Sequence, residues 1–264
     1  MKALIVSDLH YDFWSAVGRD PLEDCMDVLE GVEAVILAGD LTNKGRKRWP
    51  RVFDYIQGKI PGVSIYALAG NHDFYGQTID DEDKLRLVAQ DCHVHYAQEA
   101  EFTLGASRVF CTTLWTDFQL PPGRLRNEHA AIEKSNDFHA IRVASDGYRK
   151  LRPSDVVSRH LQHRRWLEER LATPASESMK TVVVTHHAPH PGVLPASLGD
   201  VRAAYASDLT ALFEKYDINL WLHGHEHHAQ PLNVGRTRVR SVSLGYPPQV
   251  SAPRDRIVNC IFAL

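Results

Sequence analysis

The chain has 264 residues, a formal charge of −3 at neutral pH, and 44% hydrophobic and 24% charged residues. That length buries a substantial core, and the composition is that of an ordinary soluble globular protein. The small net charge argues against a general nucleic-acid or membrane surface, and the apolar runs are far too short to cross a bilayer.

Residues 3–7 form an apolar run that predicts a buried strand, and it stops at Asp8-Leu9-His10. This early polar break argues against a signal peptide. Residues 20–30 have helical spacing, with Asp20 suited to cap and Pro21 to a first turn. A second buried strand over 34–38 closes at Gly39-Asp40, and a helix over 49–58 carries Val52, Phe53 and Ile56 on one side. A third strand over 63–69 closes at Gly70-Asn71-His72-Asp73. Strand, helix, strand, helix, strand implies parallel pairing with right-handed crossovers. Ligands bind at the carboxyl edge of such sheets, which is where these polar residues fall.

A helix is expected over 81–90, then β-like segments at 93–96, 101–104 and 108–114. From about 115 to 153 the pattern weakens and predicts an irregular insertion, with a turn at Pro121-Pro122-Gly123 and some helix over 128–137. Residues 154–171 predict an amphipathic helix capped by Ser154, with Leu161, Trp166, Leu167 and Leu171 inward. A loop over 173–178 leads to a buried strand over 181–185 and then to His186-His187. A helix over 201–216 precedes a short strand over 218–222, followed by His223-Gly224-His225-Glu226-His227-His228. The segments 237–242 and 257–262 read as antiparallel strands. Nothing resembling a linker divides the chain, so one domain over 1–264 is the simplest organisation. Cys25, Cys92, Cys111 and Cys260 are scattered without zinc-type spacing, which predicts reduced thiols in a cytoplasmic protein.

The strand ends together carry Asp8, His10, Asp40, Asn71, His72, His186, His225 and His227. A set of oxygen and nitrogen donors without thiolate suits manganese, iron, zinc or cobalt and argues against a structural zinc site. There are too many candidates for one ion, and a pair about 3.5–4 Å apart sharing a carboxylate would use them all.

In order and spacing, Asp8-Leu9-His10, Gly39-Asp40, Gly70-Asn71-His72-Asp73, His186 and Gly224-His225-Glu226-His227 resemble the motif series of the calcineurin-like metallophosphoesterase superfamily. Thr113-Leu114-Trp115-Thr116-Asp117-Phe118 and Asn136-Asp137-Phe138 are similar to a bacterial and phage subgroup. The resemblance implies an α/β fold, an α/β/β/α sandwich of two mixed sheets flanked by helices. It implies a hydrolase acting on phosphodiesters or phosphomonoesters by attack of a hydroxide bridging two divalent or trivalent metals (manganese, iron, zinc or similar). Asp8, His10 and His227 would hold the first metal, Asn71, His186 and His225 the second, and Asp40 both. His72 matches the catalytic histidine, and Asn71 and His72 would contact the substrate; Asp73, where the family more often has glutamate, is placed either to orient the His72 ring or only to cap a turn. Where some relatives support that ring with aspartate, this chain has Asn43, an amide that accepts a hydrogen bond but gives less electrostatic help.

The expected partner is a small phosphorylated molecule such as a nucleotide. A nuclease is disfavoured for want of a basic stripe interleaved with aromatics. A non-catalytic scaffold with the same fold is the alternative, but such a protein is expected to have lost ligands or the catalytic histidine. Phe13, Trp14, Tyr75 and Trp115 are candidates both for a pocket and for packing. Arg124, Arg126 and the run Lys44, Arg46, Lys47, Arg48 are candidates both for gripping phosphate and for plain solvation. His187, His223 and His228 read as structural or outer residues.

Overall fold

The structure, a computed structural model, describes residues 1–176 and 178–264. The loop expected over 173–178 therefore includes one residue, Glu177, outside the described set. Apolar runs make the strands β1 (Lys2–Val6), β2 (Ala34–Ala38) and β3 (Ser64–Leu68). They pair in parallel, as the crossover pattern requires. Next come β4 (His95–Tyr96), β5 (Ala100–Leu104) and β6 (Ser107–Thr112), a small hairpin of β7 (Arg142–Val143) and β8 (Arg149–Lys150), and β9 (Lys180–Thr185). The last strands are β10 (Leu220–His223), β11 (Leu232–Val234), β12 (Thr237–Ser241) and β13 (Ile261–Ala263).

One sheet has the order β13-β1-β2-β3-β4 and the other β11-β12-β10-β9-β6-β5. Both are mixed: β13 runs antiparallel to β1, and β5 and β11 run antiparallel to their neighbours. The sheets are flanked by helices, which gives the layered α/β sandwich. A single parallel bridge, Ser7 to Ser243, ties the end of β1 to the segment after β12. Its bonds are Ser7 N–H to Val242 O at 2.9 Å and Leu244 N–H to Ser7 O at 2.9 Å. That tie holds the carboxyl ends of β1, β2 and β3 against those of β9 and β10.

Helices differ more from expectation than strands. A helix α1 (Tyr11–Ala16) starts directly after His10, and its Trp14 is wholly buried with the indole N–H on Gly245 O at 3.0 Å. The helix expected over 20–30 shrinks to α2 (Met26–Leu29). Asp24 sits at φ 55°, which no helix continues through, and the Asp20 carboxylate takes bonds from Tyr55 and Lys59 besides Leu22 N–H. Helices α3 (Gly45–Lys59) and α4 (Glu82–Asp91) form as expected, and α3 buries Val52, Phe53 and Ile56. Between 115 and 153 lie α5 (Arg124–Lys134), α6 (Asp137–Ala140) and the β7–β8 hairpin.

Helix α7 (Pro153–Leu171) starts with Arg152, not Ser154, at its cap. Its inner stripe is Val156, His160, His163, Leu167 and Leu171, while Leu161 is 52% exposed. Those five residues follow the 3.6-residue period and Leu161 does not. Two of them are histidines, which a hydrophobic pattern passes over. The helix expected over 201–216 divides into a 3-10 stretch (Ala196–Ala204) and α8 (Thr210–Lys215). An Ala188–Ala206 bridge pulls the chain between them into an extended form, and Asp208 then accepts from Thr210 N–H at 3.0 Å to start the new helix. In the tail, β12 is parallel to β10, and Ile257 lies in α9 (Pro253–Val258) rather than a strand, because Pro253 opens a first helical turn.

Candidate metal centre

Five strand ends deliver the buried polar residues to one place. Three groups of ligand atoms lie within 4.8 Å of one another: Asp8, His10 and His227; His10, Asp40 and His72; Asp40, His186 and His225. Asp40 stands between the two outer groups. Its Oδ1 is 3.4 Å from His186 Nε2, and its Oδ2 is 3.8 Å from His10 Nε2. One carboxylate thus turns an oxygen to each side.

The backbone is bent to make this possible. Asp8, His10, Asp40 and His225 have φ of 56°, 40°, 54° and 66°. Non-glycine residues rarely adopt the left-handed region, and such strain persists where surrounding structure over-determines it. Here each bend re-aims a side chain that would otherwise continue the strand's alternation. Gly70 and Gly224 allow the close approach of neighbours: a Cβ at Gly70 would sit 2.2 Å from Asp40 Oδ1, and one at Gly224 1.9 Å from Ser7 Oγ.

Hydrogen bonds then fix which atom of each ligand faces inward. His186 Nδ1 donates to Ala38 O at 3.1 Å, which leaves Nε2 without a proton on the side of Asp40 and Asn71. His227 Nδ1 donates to Gln249 Oε1 at 2.7 Å, again freeing Nε2. The Asn71 amide is oriented by Asp137, a carboxylate that can only accept: Nδ2 donates to it at 2.7 Å, so Oδ1 points inward, 3.0 Å from His186 Nε2. Asp8 is held by His225 N–H at 2.9 Å and Ser243 Oγ–H at 2.6 Å. Outer partners of this kind set the tautomer and aim of metal ligands.

Charge follows the same logic. Burial drives the pKa of His186 down to about 3 and holds His10 and His225 well below the usual range, so these rings are neutral, as a ligand must be. Asp40 is pushed well up by burial and by the nearby Asp8 and Asp73 carboxyls. Burial acts against charge on Asp8 and His227 too, but their mutual contact at 3.4 Å prevails, lowering the one and raising the other. His10 is fully buried and neither of its ring nitrogens has a hydrogen-bond partner. Two orphaned imidazole nitrogens buried beside carboxylates are costly without a cation to bind. The donor set and its orphaned atoms therefore fit two metal ions.

His72 lies beside the clusters. Its Nδ1 is 2.9 Å from Asn43 Oδ1, which can only accept, so Nδ1 carries the proton. Nε2 faces the cleft, 3.2 Å from the Tyr246 hydroxyl and 4.0 Å from Asp40 Oδ2. Asp73, expected to orient this ring, is turned elsewhere. Its carboxylate accepts from Gly70, Asp40, Leu41 and Thr42 N–H and from the Trp49 indole at 2.8 Å. Burial pushes its pKa up to about 7 in spite of these donors. Five donors and no acceptor describe a pocket built to clamp two turns together. The ring is oriented by Asn43 instead.

His187 is buried against Trp115 and the His225 ring, with Nδ1 on Thr113 O at 3.3 Å, and His223 is buried as well, whereas His228 is exposed. Trp14 and Trp115 are core, but Phe13 and Tyr75 line a cleft beside His72. Arg46, Arg48 and Arg124 pair with Asp81, Asp12 and Glu128 at 3.0, 2.6 and 2.6 Å. Ser243, Gln249 and Tyr246 were invisible to sequence reasoning, since only folding brings them to the ligands. Asp137 did carry a signal, in the Asn136-Asp137-Phe138 segment, but not its role. No helix among the described residues is long and apolar enough to cross a membrane.

Comparison with known proteins agrees with the geometry. The calcineurin-like phosphoesterase family matches residues 1–229. A phosphopantetheinyl hydrolase from Mycobacterium tuberculosis is similar in structure, with a TM-score of 0.66 at 19% identity over 94% of this chain and 90% of that one. The TT1561 protein of Thermus thermophilus has a TM-score of 0.50 at 12% identity, over 92% and 88% of the two chains. At these identities the likeness concerns the fold. No curated protein matches the sequence significantly. The family match spans every strand end that carries a candidate ligand, and the chain belongs to the calcineurin-like phosphoesterase family.

Proposed function

We propose that this protein, acting as one unit over 1–264, is a dinuclear-metal phosphoesterase that hydrolyses a small phosphodiester or phosphomonoester. The observation that carries the reading is Asp40, with one carboxylate oxygen facing His10 and the other His186. In this reading Asp8, His10 and His227 hold one ion, Asn71, His186 and His225 the other, and Asp40 both. Two such cations supply Lewis-acid activation of water and neutralise charge on the phosphoryl oxygens.

The remaining work belongs to side chains. His72, fixed through Nδ1 by Asn43, presents Nε2 toward the leaving oxygen and delivers a proton there. Burial holds its pKa down to about 4, and a bound phosphoryl anion acts in the opposite direction by favouring the imidazolium. Asn71 and His72 face the phosphoryl group. Asp73 serves by holding the Asp40 and Gly70 turns in register.

The test is metal analysis of the purified chain together with assays on p-nitrophenyl phosphate and its bis(p-nitrophenyl) diester. Expected are hydrolysis dependent on manganese or a similar ion and loss of both activity and bound metal in Asp40→Ala. A parent protein that binds no metal, or an Asp40→Ala variant as active as the parent, overturns the reading.

A further inference from the structure

Two cavities open from His72, and their chemistry differs. One, of about 420 Å³, is bordered by the ligand residues Asp40, Asn71, His225 and His227 and by the charged Lys134 and Glu226. The other, of about 800 Å³, contains none of the seven proposed ligands, and no lysine, arginine, aspartate or glutamate borders it. Its apolar surface comes from Phe13, Tyr75, Tyr246 and Pro248, with the amides of Asn43, Asn136 and Gln249 between them. Phe13 and Tyr246 meet edge to face at 5.1 Å, and Phe13 is 39% exposed. Tyr246 also stacks on His10 at 4.2 Å, so its ring has a fixed position.

In-line displacement gives these cavities different roles. Water adds its oxygen to phosphorus over the ligand residues. The opposite P–O bond breaks, its electron pair stays on the departing oxygen, and that oxygen takes the proton from His72 Nε2. The proton released by water replaces the one His72 gives up. The departing oxygen then lies beside His72, where the cavity that lacks ligands opens to take the group it carries.

We propose that this aromatic cavity is a leaving-group subsite for an uncharged alcohol bearing a flat ring, of the nucleoside type. Aromatic side chains offer ring faces and edges for stacking, and the amides offer hydrogen bonds to a ring's heteroatoms. Burial of a second phosphate there is disfavoured, because no lysine or arginine borders the cavity. The charged cavity keeps the phosphoryl side of the substrate.

This inference rests on the proposed function, but it can be tested without turnover. Adenosine and ribose are titrated into the metal-free full chain and followed by ligand-observed NMR, since ribose has the hydroxyls without the base. Adenosine is expected to bind with a Kd at least ~10-fold below that of ribose; Phe13→Ala is expected to weaken it by ~10-fold, and His139→Ala, at an exposed histidine that also borders this cavity, to weaken it as well. Phe13→Tyr keeps the ring and is expected to keep the affinity. Equal binding of adenosine and ribose, or an unchanged Kd in both alanine variants, overturns the subsite. A parent protein that binds adenosine but hydrolyses no ester with added manganese overturns the proposed function instead.

Discussion

The floor of the cleft and its walls are built in opposite ways. The floor consists of strand ends from both sheets, largely buried, bent into left-handed backbone, and tied by hydrogen bonds to Ala38, Asp137 and Gln249 and from Ser243. The walls come from α1, from the Asn136 region and from the segment around Tyr246, and several of their side chains are exposed. The contrast teaches where precision is needed. Under the proposed function, holding metal ions demands fixed donors, while accommodating an ester substituent demands shape and polarity. Floor substitutions should therefore abolish chemistry, and wall substitutions should alter which substrate is preferred.

His72→Ala is expected to break the contrast most sharply, since the proposed function gives His72 a part in the chemistry but none in holding metal. Turnover should fall about 10²–10⁴-fold while metal content and thermal midpoint stay at parent values, measured by steady-state kinetics, elemental analysis and calorimetry. A Gly70→Ala variant tests the floor's tolerance: with a Cβ 2.2 Å from Asp40 Oδ1, it should lose bound metal and at least about 100-fold in kcat/KM. Asp73→Asn separates support from chemistry. The amide nitrogen cannot accept from the N–H groups of Gly70 and Asp40, so stability should drop by about 3 kcal/mol, or roughly 6–12 °C in Tm.

Away from the cleft, His163 sharpens the comparison, as a buried imidazole with no proposed ligand role. It is fully buried beside Gln98, and burial drives its pKa down to about 3. The unfolded chain takes up a proton on this group below about pH 6.5 and the folded chain does not, so stability falls as pH drops from about 6.5 toward 3. His163→Gln should remove about 1–2 kcal/mol of the loss seen between pH 7 and pH 5, measured by urea unfolding at both values. The smallest effect belongs to the exposed Leu161, whose replacement by Ser should change stability by less than about 0.5 kcal/mol.

Much of the site was legible before folding, because metal chemistry narrows the choice of residue. Carboxylate, amide and imidazole at the ends of apolar runs point to one edge of a parallel sheet, and β1, β2 and β3 formed within a residue of expectation. Helix limits were less legible where long-range contacts prevailed over local spacing. Asp20 is drawn to Tyr55 and Lys59, and Ala206 pairs with Ala188. The α7 face was misjudged because burial of His160 and His163 depends on partners elsewhere in the chain, Gln98 and the Trp115 carbonyl.

By itself, the sequence determined which donors are present and that they follow strands, since apolar periodicity and ligand chemistry are local properties. Only the tertiary structure decided that Asp73 clamps turns while Asn43 aligns His72, that Asp137 aims the Asn71 amide, and that Tyr246 comes to rest on His10. The reason is physical: a hydrogen bond is set by distance and direction in space, and residues 66 or 236 positions apart carry no local pattern that announces their meeting.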